Sequence, residues 1–396
     1  MDKQTSSPDL HPTLPAALPV VLWALLFGNF VIGTGIMLIP GNLNGISHSL
    51  GVGVATAGQL ITTGSVVICL GAPVFAALLS RWDRRGLLAL SMLWYGIFPL
   101  LCTLATDFYT LMALRVLAVV PAAVFTPQAA ACAGALVPPE QRGRAITLVF
   151  LGWSVASVLG SPISAWVGGT LGWRVAFYGV AALSMACALW VWRAMPKGLE
   201  PPALGTQAWG ELVRSKAVLL ALAVTVCASA SQFVLFAYFA PYFKASLDIS
   251  AGGLASVFMV FGMFGFVGSA LMSRHIDRLG ASNAVLIGLL CMAASLLLWP
   301  LGTSILAACL VCIPWGLGCF ATNSAQQARL VGLAPALASV SVALNTSAMY
   351  AGQAIGAASG GYGIAMGRMQ DLHWLGFAGM LCAVAVSEWA RRAQPK

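Results

Sequence analysis

The sequence predicts an all-α integral membrane protein, with twelve transmembrane helices in two pseudo-symmetric six-helix bundles. Three observations predict it. First, nine stretches of at least 18 residues contain no Asp, Glu, Lys or Arg, the longest running from Leu10 to Ser80. About 20 apolar residues of helix cross the hydrocarbon of a bilayer. Second, the few charges sort to one side when the spans are threaded alternately through a membrane. Third, the two halves of the chain repeat each other at a displacement near 196 positions.

The elements follow in order. A polar, proline-bearing N-terminal segment (1–17) has no cleavable signal pattern, so the first span serves as its own insertion signal. Charge, Gly and Pro breaks then place spans at 18–41, 52–80, 87–106, 109–136, 145–170 and 174–194. A connection at 195–216, carrying Pro196, Pro201 and Pro202, reads as a cytoplasmic linker, with Trp209, Leu212 and Val213 able to form a short surface helix or an ordinary flexible stretch. The second bundle follows with spans at 217–243, 252–273, 281–299, 304–327, 337–363 and 374–389, and a basic tail at 390–396. The segments are apolar all round, whereas barrel strands alternate, so a β-barrel is not expected.

With both termini inside, 16 of the 20 basic residues fall on the cytoplasmic side. Only Arg174, Lys244 and Arg368 fall outside, and Arg115 lies within a span. That is the positive-inside distribution, and a miscount of one helix would scramble it. The composition, 60% hydrophobic and 8% charged, excludes a soluble multidomain enzyme. The net charge of +9 comes from short loops, so it reads as topology and no nucleic-acid partner is expected. All ten cysteines lie in apolar segments and read as small buried hydrophobes. No paired carboxylates, Ser-with-base or His-rich group falls inside the spans, so neither an enzyme nor a cofactor or metal is expected.

The repeat is visible in residues. Asp83-Arg84-Arg85-Gly86 follows the second span and Asp277-Arg278-Leu279-Gly280 the eighth. Small residues recur every four positions on the fifth span (Gly152, Ala156, Gly160, Ser164, Gly168) and on the eleventh (Ala348, Gly352, Gly356, Gly360). That spacing puts them on one helix face, where another helix can approach closely. Two such halves suggest a central pathway between them.

With these motifs the chain resembles the major facilitator superfamily, within it the twelve-helix drug–proton antiporter and sugar-efflux group, over nearly its whole length. Asp83-Arg84-Arg85-Gly86 resembles the loop signature, with Leu79 in place of its first glycine and Leu87 and Leu88 in place of two basic residues. Arg115 in Ala113-Leu-Arg-Val-Leu is similar to the fourth-helix arginine motif, and Gly160-Ser161-Pro162 with Gly168-Gly169 to the fifth-helix antiporter motif. Asn345 and Tyr350-Ala-Gly352-Gln353-Ala-Ile-Gly356 resemble the eleventh helix of the same group.

The resemblance implies a secondary transporter working by alternating access, with coupling and gating at Arg115, Asp83, Arg84, Gly86, Asp277, Arg278, Gly160 and Pro162. By resemblance the cavity is lined by the first, fourth, seventh and tenth helices. Its candidates are Asn29, Gln128, Gln232, Phe233, Phe236, Tyr238, Trp315 and Asn323, with Gln59, Trp153, Asn345 and Gln353 contributing from neighbouring helices. Amides meet polar substrate groups and aromatic faces meet apolar ones, although packing between helices is an equally good reading for each. None of the eleven acidic residues falls clearly within a span, and where the group often has Gly-Thr-x-Glu this chain reads Gly33-Thr34-Gly35-Ile36. The expected cargo is therefore a small amphiphilic, neutral or anionic compound. Export, with protons as the counter-substrate or as an uncoupled facilitator, is set against a non-transporting sensor or scaffold. The expected setting is a bacterial-type inner membrane, with lipid as partner and the protein as a monomer.

Overall fold

The computed structural model describes residues 20–79, 82–138, 141–199, 214–334 and 337–392; the expected N-terminal tail, most of the linker and the side chain of Asp277 lie outside the described residues. Among the described residues there is no strand. The first half is α1 (Val20–Ser49), α2 (Val54–Leu78), α3 (Arg84–Cys102), α4 (Phe108–Ala135), α5 (Arg142–Thr170) and α6 (Trp173–Ala194). The second is α7 (Lys216–Phe236), α8 (Phe239–Leu247), α9 (Ala251–Leu279), α10 (Ala281–Leu298), α11 (Ile305–Leu333), α12 (Ala338–Ala365) and α13 (Leu372–Arg392).

Eleven described helices are long and apolar enough to cross a membrane. The remaining crossing is α12, 28 residues built largely from Ala, Gly and Ser, which lies between α7 and α2. Its apolarity is modest because its role is close packing, which small residues serve. Val20 and Arg392 end on one face, here termed the base; the opposite face is the crown.

Two expected single helices are interrupted, each by a proline. In the fifth span, Pro162 has no N–H for the carbonyl of Val158. The chain widens there into one π turn, Ala156–Gly160, closed by Ser161 N–H to Ala156 O. In the seventh, Pro241 cannot serve the carbonyl of Ala237, and α7 breaks at Ala237 and Tyr238 before α8 resumes. Pro40 does not end α1, which continues to Ser49, as membrane helices tolerate an internal proline.

The halves meet along two seams, α2 against α12 and α5 against α9, exchanged by the pseudo-twofold. The repeat reaches single hydrogen bonds. Asn29 Nδ2 donates to Val149 O (3.1 Å) and Thr126 Oγ1 donates to Asn29 Oδ1 (2.8 Å), tying α1, α4 and α5. In the second half Thr225 Oγ1 donates to Asn345 Oδ1 (2.7 Å) and Asn345 Nδ2 to Asn323 Oδ1 (3.2 Å), tying α7, α11 and α12. Thr225, Asn323 and Asn345 lie 196, 197 and 196 positions after Asn29, Thr126 and Val149. The glycine stripes fit the same frame: a Cβ on Gly160 would sit 2.1 Å from Thr34 Oγ1, and one on Gly356 2.3 Å from Ala230 O.

Candidate functional site: a cavity between the halves

A cavity of about 690 Å³ lies between the bundles, lined from mid-helix residues such as Met37, Trp153 and Gln353 down to Ile146, Ile276 and Ala328 near the base. No charged side chain lines it among the described residues. Its two walls differ. The first half offers Met37, Ile68, Ile146, Phe150, Leu151 and Trp153, with hydroxyls but no amide. The second offers the amides Gln232, Asn323, Gln326, Gln327 and Gln353, with Phe233, Phe236, Phe261 and Phe320. Such a wall orients a neutral amphiphile: amides take its hydrogen bonds and rings its apolar face.

At the crown the two halves are in contact. Tyr238, freed by the break in the seventh span, is 1% exposed and donates its hydroxyl to Ala357 O (2.8 Å) on α12. The same hydroxyl presses on α2 of the other half, where a Cβ on Gly58 would lie 2.1 Å from it, as well as on α12, where one on Gly361 would lie 2.6 Å away. On the second seam, a Cβ on Gly262 of α9 would lie 2.4 Å from Ser157 O in the π turn of α5, and one on Gly169 2.6 Å from Ala251 Cβ. The cavity thus opens at the base and is shut above.

Arg115 lies behind this cavity, at 4% exposure. Its Nη2 donates to Gly35 O (3.2 Å) and the Tyr95 hydroxyl sits beside it, itself donating to Ile32 O (3.1 Å). Arg115 Nε has no partner, and no carboxylate of the described residues pairs with the guanidinium. A void of about 20 Å³, room for one water, adjoins Arg115. Met37, Ile68, Phe233, Tyr350 and Gln353 face both spaces and form the septum between them.

Of the residues expected to bind substrate, Trp153, Gln232, Phe233 and Gln353 are on the wall, as are Phe236 and Asn323. Asn29, Gln128, Tyr238, Trp315 and Asn345 are buried outside it. Asn29 and Asn345 are the two interhelical ties. Trp315 stands in an aromatic cluster with Phe236, Phe239, Phe261 and Trp299 and donates Nε1 to Gln232 Oε1 (3.1 Å), fixing that amide from behind. Gln59, from the same expectation, is absent from the lining.

Of the expected coupling residues, Asp83 caps α3, accepting Gly86 N–H (3.1 Å) and, from the segment after α6, Gly198 N–H (2.9 Å). Arg84 is buried and donates to Leu79 O (2.8 Å). Gly160 and Pro162 flank the end of the π turn, and Arg278 is exposed at the end of α9. The sequence reading omitted Gln326 and Gln327. Two adjacent amides closing the uncharged run 279–328, just before Arg329, were the available signal.

Two six-helix bundles around an uncharged cavity closed at one end define the class of membrane carriers. The chain belongs to the Major Facilitator Superfamily, whose profile matches residues 25–357. It is 29% identical to the inner membrane transport protein YdhP of Escherichia coli K12, over 87% of this chain and 89% of that one. It is 31% identical to a chloramphenicol resistance protein of Streptomyces lividans, over 72% of each. A bacterial homologue of the human lysosomal transporter Spinster, solved inward-facing and unoccupied, shares the fold with a TM-score of 0.74 at 17% identity, over 94% of this chain and 96% of that one.

Proposed function

We propose that the chain is a secondary transporter that exports a small amphiphilic, neutral or anionic compound by alternating access. Its base faces the cytoplasm of a bacterial-type inner membrane, with both chain ends on that side. The cavity carries the reading: uncharged, amide-walled on one side, aromatic, open at one face only. Its volume suits a drug-sized molecule. The sorting of basic residues toward the base supports the orientation. The compound in the Streptomyces relative's name, chloramphenicol, is neutral and aromatic with hydroxyl and amide groups, which makes it the first probe. An anionic group passing the Tyr350–Gln353 septum would meet Arg115, which supports the anionic alternative.

Proton coupling is the less supported half of the reading. No carboxylate lines the described cavity, which favours an uncoupled facilitator; antiport would need a proton carrier outside that lining. Reconstituted vesicles decide it. Chloramphenicol flux is expected to accelerate when a proton gradient opposes it. Flux indifferent to the gradient makes the protein a facilitator, and no flux of neutral or anionic aryl probes leaves a sensor or scaffold.

A further inference from the structure

We infer that the base end of the paired α3–α6 surface is a binding site for an anionic phospholipid, independent of the transport cavity. Arg85, at the start of α3, lays its guanidinium over the Trp192 ring at the end of α6, 4.6 Å from the centroid. Its Nε has no hydrogen-bond partner. Arg193 and Lys197 follow on α6 and the segment after it, both exposed, and neither makes a salt bridge among the described residues. The nearby carboxylate, Asp83, is committed to the N–H groups of Gly86 and Gly198. Among the described residues, three cations therefore stand at this end of α3 and α6 against the single carboxylate of Asp83.

Below them the surface changes to what acyl chains need. Leu189 and Trp192 on α6 are each 50% exposed, and Leu90 on α3 is 50% exposed. Tryptophan settles at the headgroup level, and anionic headgroups gain from each lysine or arginine at the surface. A phosphate-bearing head on Arg85, Arg193 and Lys197, with chains along α3 and α6, satisfies both parts of this surface. Topology alone would require the charges but no lipid selectivity.

The purified full chain is to be examined by native mass spectrometry and thermal unfolding with phosphatidylglycerol, phosphatidylcholine and glycerol 3-phosphate as separate additions. Phosphatidylglycerol is expected to remain bound and raise the unfolding temperature, while the other two do neither. Arg193→Gln and Lys197→Gln should each weaken its retention about five-fold, the effect of one surface charge. Arg85→Gln with Trp192→Leu should abolish it. Arg278→Gln, at the base of the other half, should leave it unchanged. Equal retention of phosphatidylcholine, undiminished retention in the Arg193 and Lys197 variants, or equal protection by glycerol 3-phosphate would overturn the assignment.

Discussion

Arg115 carries the clearest expectation for a single side chain. An arginine within the membrane costs roughly 2.5–3.5 kcal/mol on insertion scales, yet this one is held by a backbone carbonyl and a tyrosine rather than a carboxylate. Arg115→Ala should impair vesicle flux by an order of magnitude or more while membrane abundance is retained. Arg115→Lys should not rescue it, because an ammonium lacks the planar fork that spans two acceptors. Asp107 and Asp248 are poor proton carriers at neutral pH. The Thr110 hydroxyl, then its N–H, holds the Asp107 carboxyl below its usual range, and the Lys244 ammonium does so for Asp248. A lowered folded value means each contribution is complete above the unfolded value of about 3.9 and is lost as pH falls through the folded one. Asp107→Asn should therefore leave any pH dependence of flux between pH 6 and 8 unmoved.

Among the elements, the two hydrogen-bonded ties make a stability prediction. Asn29→Leu leaves Thr126 and Val149 O without their partner, and Asn345→Leu does the same to Thr225 and Asn323. Each should cost about 1 kcal/mol in thermal unfolding. The two losses should add, because the sites share no partner. The sequence exposed these positions as buried amides but not their use, since an amide on a span looks the same whether it faces a cavity or a neighbouring helix. The broken fifth and seventh spans were similarly half-legible. Pro162 and Pro241 were visible, but a proline in a membrane helix is often tolerated, and only packing decides between a kink, a π turn and a break.

For the molecule as a whole, charge punctuation and the 196-residue repeat carried most of the architecture, because lipid leaves few alternatives to helices. The closed crown was not legible, since it depends on which glycine meets which side chain across the seam. Gly58 and Gly361 both receive the ring of Tyr238. Gly58→Leu should therefore drive the crown apart and shift the population toward the opposite opening. A cysteine placed at Ala357, fully buried where Tyr238 closes the crown, would then react with a membrane-impermeant maleimide several-fold faster than in the parent chain. Unchanged labelling would show that the seam relaxes elsewhere.

The polar ties also separate position from residue identity. The two ties occupy the same address in each half while their amides stand on different helices: Asn29 on α1 in one half, Asn323 and Asn345 on α11 and α12 in the other. The address, then, matters more to the fold than which residue fills it. Transplanting the first copy's version into the second, as Thr225→Asn with Asn323→Thr and Asn345→Val, should yield a chain that folds nearly as well as its parent.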